Sequence, residues 1–153
     1  MLSRRELSET QIRQRLARKG YEADDIDQAV QRLKENGSLS DARVAAAIAR
    51  TQTSIKGRGR VRVRLQIQQA GIGSELAKQA VDDAFGDIDD QALLESALGK
   101  RLKDGQTIED DRTFQRLYRY LVGQGFESDR ALKALSARRR KRRGASDDPL
   151  DTP

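Results

Sequence analysis

The stretch "RVRVRLQIQQAGI" (Arg60–Ile72) reads two ways, and the choice decides the fold. Its first eight residues alternate strictly. Val61, Val63, Leu65 and Ile67 are apolar, and Arg60, Arg62, Arg64 and Gln66 are polar, the period-two pattern of a half-buried strand. Yet Val63 and Ile67 also stand one helical turn apart, eight and four residues before Gly71, with Ile72 directly behind the glycine. A lone strand in an otherwise helical chain has no neighbour for its backbone N–H and C=O groups. The spacing around Gly71 also recurs elsewhere, and we therefore expect a helix here.

The recurrence is found at "RLARKGY" around Gly20 and at "YLVGQGF" around Gly125. Gly20 and Gly71 are 51 residues apart, Gly71 and Gly125 54. Aliphatic residues lie four before each glycine (Leu16, Ile67, Leu121) and eight before it (Ile12, Val63, Leu117). A large apolar residue follows each: Tyr21, Ile72, Phe126. Nine and ten residues on come Ala29-Val30, Ala80-Val81 and Ala134-Leu135. Apolar residues at that spacing share one helical face, and glycine closes the helix in the left-handed conformation that a Cβ disfavours. Small and acidic residues then open a second helix, where acids meet the positive dipole end. Each copy thus reads helix, Gly-apolar corner, helix. The structural corner residues are Gly20, Tyr21, Gly71, Ile72, Gly125 and Phe126.

A third helix follows the first two copies, in "SLSDARVAAAIARTQ" and "DDQALLESALGKRLK"; the third copy runs instead into "ALSARRRKRR". The expected fold is all-α, an elongated tandem array of three small three-helix repeats. The last repeat is incomplete or ends in a basic helix. The expected boundaries are residues 1–54, 55–104 and 105–143, with a disordered tail over 144–153. Units this small need their neighbours to bury them.

Composition agrees with a helical array. Of 153 residues, 35% are charged and only 4% aromatic, and both prolines (Pro149, Pro153) sit at the extreme C-terminus. Cysteine and histidine are both absent, which removes disulfides, zinc-thiolate sites, a thiol nucleophile and an imidazole base. No apolar run reaches the length of a membrane span, and the N-terminus lacks a signal-peptide core, so a cytoplasmic protein is expected.

The net charge of +6 is unevenly spread. Lys56, Arg58, Arg60, Arg62 and Arg64 fall in one run without an acid, and Arg138, Arg139, Arg140, Lys141, Arg142 and Arg143 form another. Guanidinium groups bind phosphates and carboxylates in forked pairs. The first run reads either as a partner contact or as a solvated helix face. The second reads either as a phosphate-binding segment or as a solubilising tail. The acidic pairs Asp24-Asp25 and Asp89-Asp90 sit at expected helix starts and read as caps rather than as metal or acid–base sites. "GRGRVR" lacks the Gly-Lys-Ser/Thr end of a phosphate loop and the third glycine of a dinucleotide fingerprint. Tyr118, Tyr120 and Phe126 offer stacking faces, but Phe126 at a corner reads as core. No enzyme activity, metal or cofactor is expected.

Four motifs in order complete this reading: Ser8–Tyr21 ("SETQIRQRLARKGY"), Asn36–Arg43 ("NGSLSDAR"), Lys56–Val63 ("KGRGRVRV") and Gly123–Phe126 ("GQGF"). Together they resemble the RecX family of RecA regulators, over Ser3 to Leu135. Val44 stands where that family usually has an aromatic, and only "MLSRREL" precedes the first Ser-Glu. The resemblance implies three tandem three-helix repeats that lodge in the groove of the RecA–single-stranded DNA filament and restrain recombinase and co-protease activities. The expected partners are therefore the RecA filament and, through the basic runs, single-stranded or duplex DNA, met by a monomer. The alternative is a stand-alone helical DNA-binding protein without a recombinase partner, since short three-helix units with basic faces also read DNA.

Overall fold

The computed structural model describes residues 5–139. These form eight α-helices: α1 (Glu9–Arg18), α2 (Ala23–Glu35), α3 (Asp41–Arg50), α4 (Arg60–Gln69), α5 (Ser74–Ala84), α6 (Asp90–Gly99), α7 (Asp111–Gln124) and α8 (Ser128–Ala137). Helix α3 runs on into a π-helical turn, Thr51–Ile55. Among the described residues the only β-type pairing is an isolated parallel bridge between Ile108 and Arg139. The chain is all-α, and the alternating stretch is helix α4.

On α4 the helical register decides which apolar residues are buried. Val63 and Ile67 are fully enclosed, whereas Val61 and Leu65 are 54% and 47% exposed. Four helices are capped by their own sequence. Ser8 Oγ accepts from the Gln11 amide in a capping box, Ser40 caps Arg43, Asp89 caps Gln91 and Ala92, and Asp110 caps Thr113. At the start of α1, Lys34 and Arg13 beside Glu9 hold its carboxyl below the ordinary carboxylate range. A depressed folded-state pKa means that this stabilisation is present at neutral pH and is lost as pH falls through the lowered value.

The buried residues form three clusters. The first joins Ile26, Val30 and Leu39, with Ile12, Leu16 and Leu33 partly buried against them. The second joins Val44, Ala45 and Ala49 of α3 to Val63 and Ile67 of α4, Ile72, and Ala77, Ala80, Val81 and Phe85 on and after α5. The third joins Leu94, Ala97 and Leu98 of α6 to Leu102, Ile108, Leu117, Leu121, Phe126, Ala131, Ala134 and Leu135. The packing units are thus α1–α2, α3–α5 and α6–α8. The boundaries expected at 54/55 and 104/105 fall inside clusters: the first parts Ala49 from Val63, the second parts Leu102 from Ile108. A helix written after one corner serves as the leading helix of the next core.

All three corner glycines adopt the left-handed conformation, with φ of 93° at Gly20, 85° at Gly71 and 103° at Gly125. Tyr21 N–H donates to the Leu16 carbonyl (3.3 Å) and Phe126 N–H to the Leu121 carbonyl (3.1 Å), the six-to-one bond of a Schellman stop. Ile72 and Phe126 are 3% and 5% exposed, but Tyr21 is 56% exposed. In the second and third units α3 and α6 complete the core, and among the described residues α1–α2 have no such third helix.

The units meet through a joint that occurs twice in the same register. Twelve residues before Gly20, Ser8 Oγ donates to the Ala70 carbonyl; ten before, Thr10 Oγ1 donates to the Gly71 carbonyl (2.9 Å). Twelve residues before Gly71, Gly59 N–H donates to the Gln124 carbonyl (2.9 Å); ten before, Val61 N–H donates to the Gly125 carbonyl (3.1 Å). The N-terminal turn of one unit's helix therefore satisfies the carbonyls that end the next unit's helix, pairing opposite dipole ends. Helix α7 is built differently. It has 14 residues where α1 and α4 have 10, and its own Asp110 takes the Thr113 amide at 2.6 Å.

Ser8→Ala tests the first joint. Ser8 is fully buried, and its hydroxyl both caps α1 and reaches α4's end. The substitution should cost about 2–3 kcal/mol in urea unfolding, from a lost cap and an unmet buried carbonyl. A cost below about 0.5 kcal/mol, the scale of a bland surface change, would mean that the hydroxyl holds neither bond.

Candidate functional site

The basic run at α4 is split by the fold. Arg60 Nε lies 3.1 Å from Asp90 Oδ1, and its guanidinium stands 4.7 Å from the centre of the Phe85 ring. Asp90 also meets Arg130 at 3.8 Å, so α4, α6 and α8 share one carboxylate. Arg62 donates to the Gly123 carbonyl at 3.0 Å, beside the Gly125 corner. These two arginines belong to the joint between the second and third units.

Lys56 and Arg64 are exposed, and Arg58 is half-buried with its Nε enclosed and without a hydrogen-bond acceptor. Among the described residues none of the three has an ionic partner within 4.0 Å. Arg64 lies between exposed Val61 and Leu65 on the outer face of α4, which makes a mixed apolar and cationic stripe. In the sequence Val61 and Leu65 register only as part of the apolar alternation. Their exposure follows from the helical register that buries Val63 and Ile67.

Two further cations approach from distant sequence. Lys100, just past α6, places its Nζ 4.0 Å from where a Cβ on Gly57 would stand. A groove of about 780 Å³ between the first and second units is lined by Arg5, Arg50 and Lys56, with the amides of Gln52, Gln66 and Gln69. The acid in its wall, Glu6, is held by Arg43 at 2.7 Å. Arg5, Arg50 and Lys100 lie outside the two basic runs, so only the fold reveals that the first two share a groove with Lys56 and that the third comes near Gly57.

The C-terminal run diverges from α8. The helix ends at Ala137, and the chain turns so that the Arg138 carbonyl accepts from Ile108 N–H at 2.8 Å. Arg138 pairs with Glu95 at 3.2 Å; Arg139 pairs with Asp111 and lies 5.1 Å from the Phe114 ring centre. Both arginines anchor the third unit. Arg140, Lys141, Arg142 and Arg143, and the tail 144–153, lie outside the described residues. The aromatics also face inward. Phe126 is core, Tyr118 and Tyr120 pack against the third cluster, and Tyr120 donates to the Ala97 carbonyl at 3.3 Å beneath the Arg101 guanidinium. Asp89 is a cap and Asp90 an ion-pair partner, while Asp24 and Asp25 open α2. No helix among the described residues is long and apolar enough to cross a membrane.

The comparisons with known proteins agree with this anatomy. The family model for the first three-helix domain of RecX matches residues 1–33, and that for the second three-helix domain matches residues 40–81. The second match runs from the cap of α3 into α5, the same helices that share the middle cluster. The Regulatory protein RecX of Syntrophotalea carbinolica is 32% identical over 130 residues, covering 84% of this chain and 84% of the relative. That of Actinobacillus pleuropneumoniae serotype 5b is 30% identical over 129 residues, covering 84% and 82%. That of Haemophilus influenzae strain PittEE is 27% identical over 129 residues, covering 84% of both. With helices, repeated corners and relatives in agreement over this length, the chain belongs to the RecX family of regulatory proteins.

Proposed function

We propose that this chain is a non-catalytic regulator that binds the RecA–single-stranded DNA filament and inhibits or modulates the recombinase. The observation that carries the reading is the division of the basic run: Arg60 and Arg62 are held in a joint, while Lys56 and Arg64 face solvent beside Val61 and Leu65. Unpaired cations next to exposed aliphatics fit a surface that meets phosphates or acidic protein loops and then excludes water. Three small units joined end to end offer several such faces, which suits a groove built of repeated subunits.

The test is RecA-catalysed ATP hydrolysis and strand exchange on single-stranded DNA with stoichiometric protein at low salt. The unaltered chain should inhibit both. Lys56→Gln with Arg64→Gln should weaken inhibition about fivefold, each exposed cation contributing under about 1 kcal/mol, with helicity unchanged by circular dichroism. Inhibition equal to that of the unaltered chain would reduce these cations to a solvated face. DNA binding alone, with no effect on RecA, would favour the stand-alone DNA-binding reading, in which the Arg5–Arg50–Lys56 groove would take phosphates.

A further inference from the structure

The inter-unit joint is occupied at two of three corners. At Gly71 a side chain would have no room: a Cβ there would stand 2.4 Å from Thr10 Cβ. At Gly125 it would stand 2.3 Å from Arg62 Cβ and 2.8 Å from the Gly59 carbonyl oxygen. At Gly20, in the same left-handed conformation, nothing among the described residues lies within 4 Å, and Tyr21 behind it is exposed. The Lys19 and Gly20 carbonyls hold the positions at which Ala70 and Gly71, and Gln124 and Gly125, accept their donors.

We infer that the Gly20–Tyr21 corner is an open copy of this joint and takes the N-terminal turn of a helix on a partner protein. The two filled joints define the chemistry of that turn. It carries a hydroxyl or amide donor at its cap and a second donor two residues on, as Ser8 and Thr10 or Gly59 and Val61 do. Charge separates the open corner from the filled ones. Arg18 and Lys19 directly precede Gly20, and Arg15 lies one turn back, all exposed and without ionic partners among the described residues. The residues preceding the filled corners, Gln68-Gln69-Ala70 and Val122-Gly123-Gln124, carry no charge. The partner turn is therefore acidic, as helix starts commonly are and as Glu9 behind Ser8 illustrates. Resting on the function proposed above, that helix belongs to a subunit of the RecA filament. The register positions twelve and ten residues before Gly125, Thr113 and Gln115, lie inside α7 and not at its start.

Gly20→Asn tests this cleanly. Asparagine tolerates the left-handed conformation and meets open space at Gly20, so the melting temperature should move by no more than about 5 °C. Its side chain would fill the acceptor position. Affinity for a RecA filament formed with ATP and single-stranded DNA should fall about tenfold or more, the scale of one lost anchoring contact. Tyr21→Ser, which removes an exposed ring, should also weaken binding and covers the case in which Gly20→Asn folds poorly. If the unaltered chain binds and both variants bind within about twofold of it, the corner is not a contact and the filament reading stands alone. If the unaltered chain does not bind the filament, the reading and this inference fall together.

Discussion

Gly125→Val is expected to destabilise the protein by roughly 2–5 kcal/mol, seen as a shift of the urea midpoint at unchanged slope. Two costs combine. Gly125 sits at φ 103°, where a β-branched residue is a genuine outlier, so strain alone costs about 1–2 kcal/mol. The new atoms would also enter the space of Arg62 and the Gly59 carbonyl, both fixed by the joint, which adds an overpacking cost of about 1–3 kcal/mol. Gly20→Val is the internal control: it carries the strain without the collision, and about 1–2 kcal/mol is expected. Equal losses at the two positions would show that the close approach of α4 to the third corner contributes nothing beyond backbone strain.

Phe85→Ala is expected to cost about 4 kcal/mol, again by urea unfolding. Phe85 is 2% exposed in the middle cluster, and truncating a buried phenylalanine typically costs about 3–5 kcal/mol through lost transfer energy and the cavity left behind. The ring also lies beneath the Arg60 guanidinium, a contact of about 0.5–1 kcal/mol. Phe85→Leu keeps most of the volume and should cost only about 1–1.5 kcal/mol. If both variants lost the same amount, the aromatic face rather than core volume would be what matters there.

The fold was legible where periodicity and glycine acted together. Val63 and Ile67, placed in register by Gly71, were enough to choose helix over strand for α4, and both are fully buried. The same positions in the third unit, Leu117 and Leu121, are core. Periodicity finds faces but does not say which faces meet. Helix α3 therefore reads as the end of the first unit, although Val44, Ala45 and Ala49 pack with α4 and α5. Tyr21 matches its counterparts in pattern and differs in exposure, because what covers Ile72 and Phe126 comes from a helix earlier in the chain.

The candidate site was only half legible, for a related reason. A run of five cations presents them as equals, whereas a helix points them in different directions. Arg60 and Arg62 are drawn inward by Asp90, Phe85 and Gly123, groups far along the sequence. Arg138 and Arg139 likewise meet Glu95 and Asp111. Which charges remain free is settled by their distant partners, and local composition holds no trace of them.

A train of like units joined head to tail grows without limit when its two ends are complementary. Among the described residues, the positions twelve and ten before Gly125 are Thr113 and Gln115, inside α7 and not at its start, so the third unit does not repeat the donor turn of the first two. The longer spacing from Gly71 to Gly125 thus breaks the repeat of the joint after its second use.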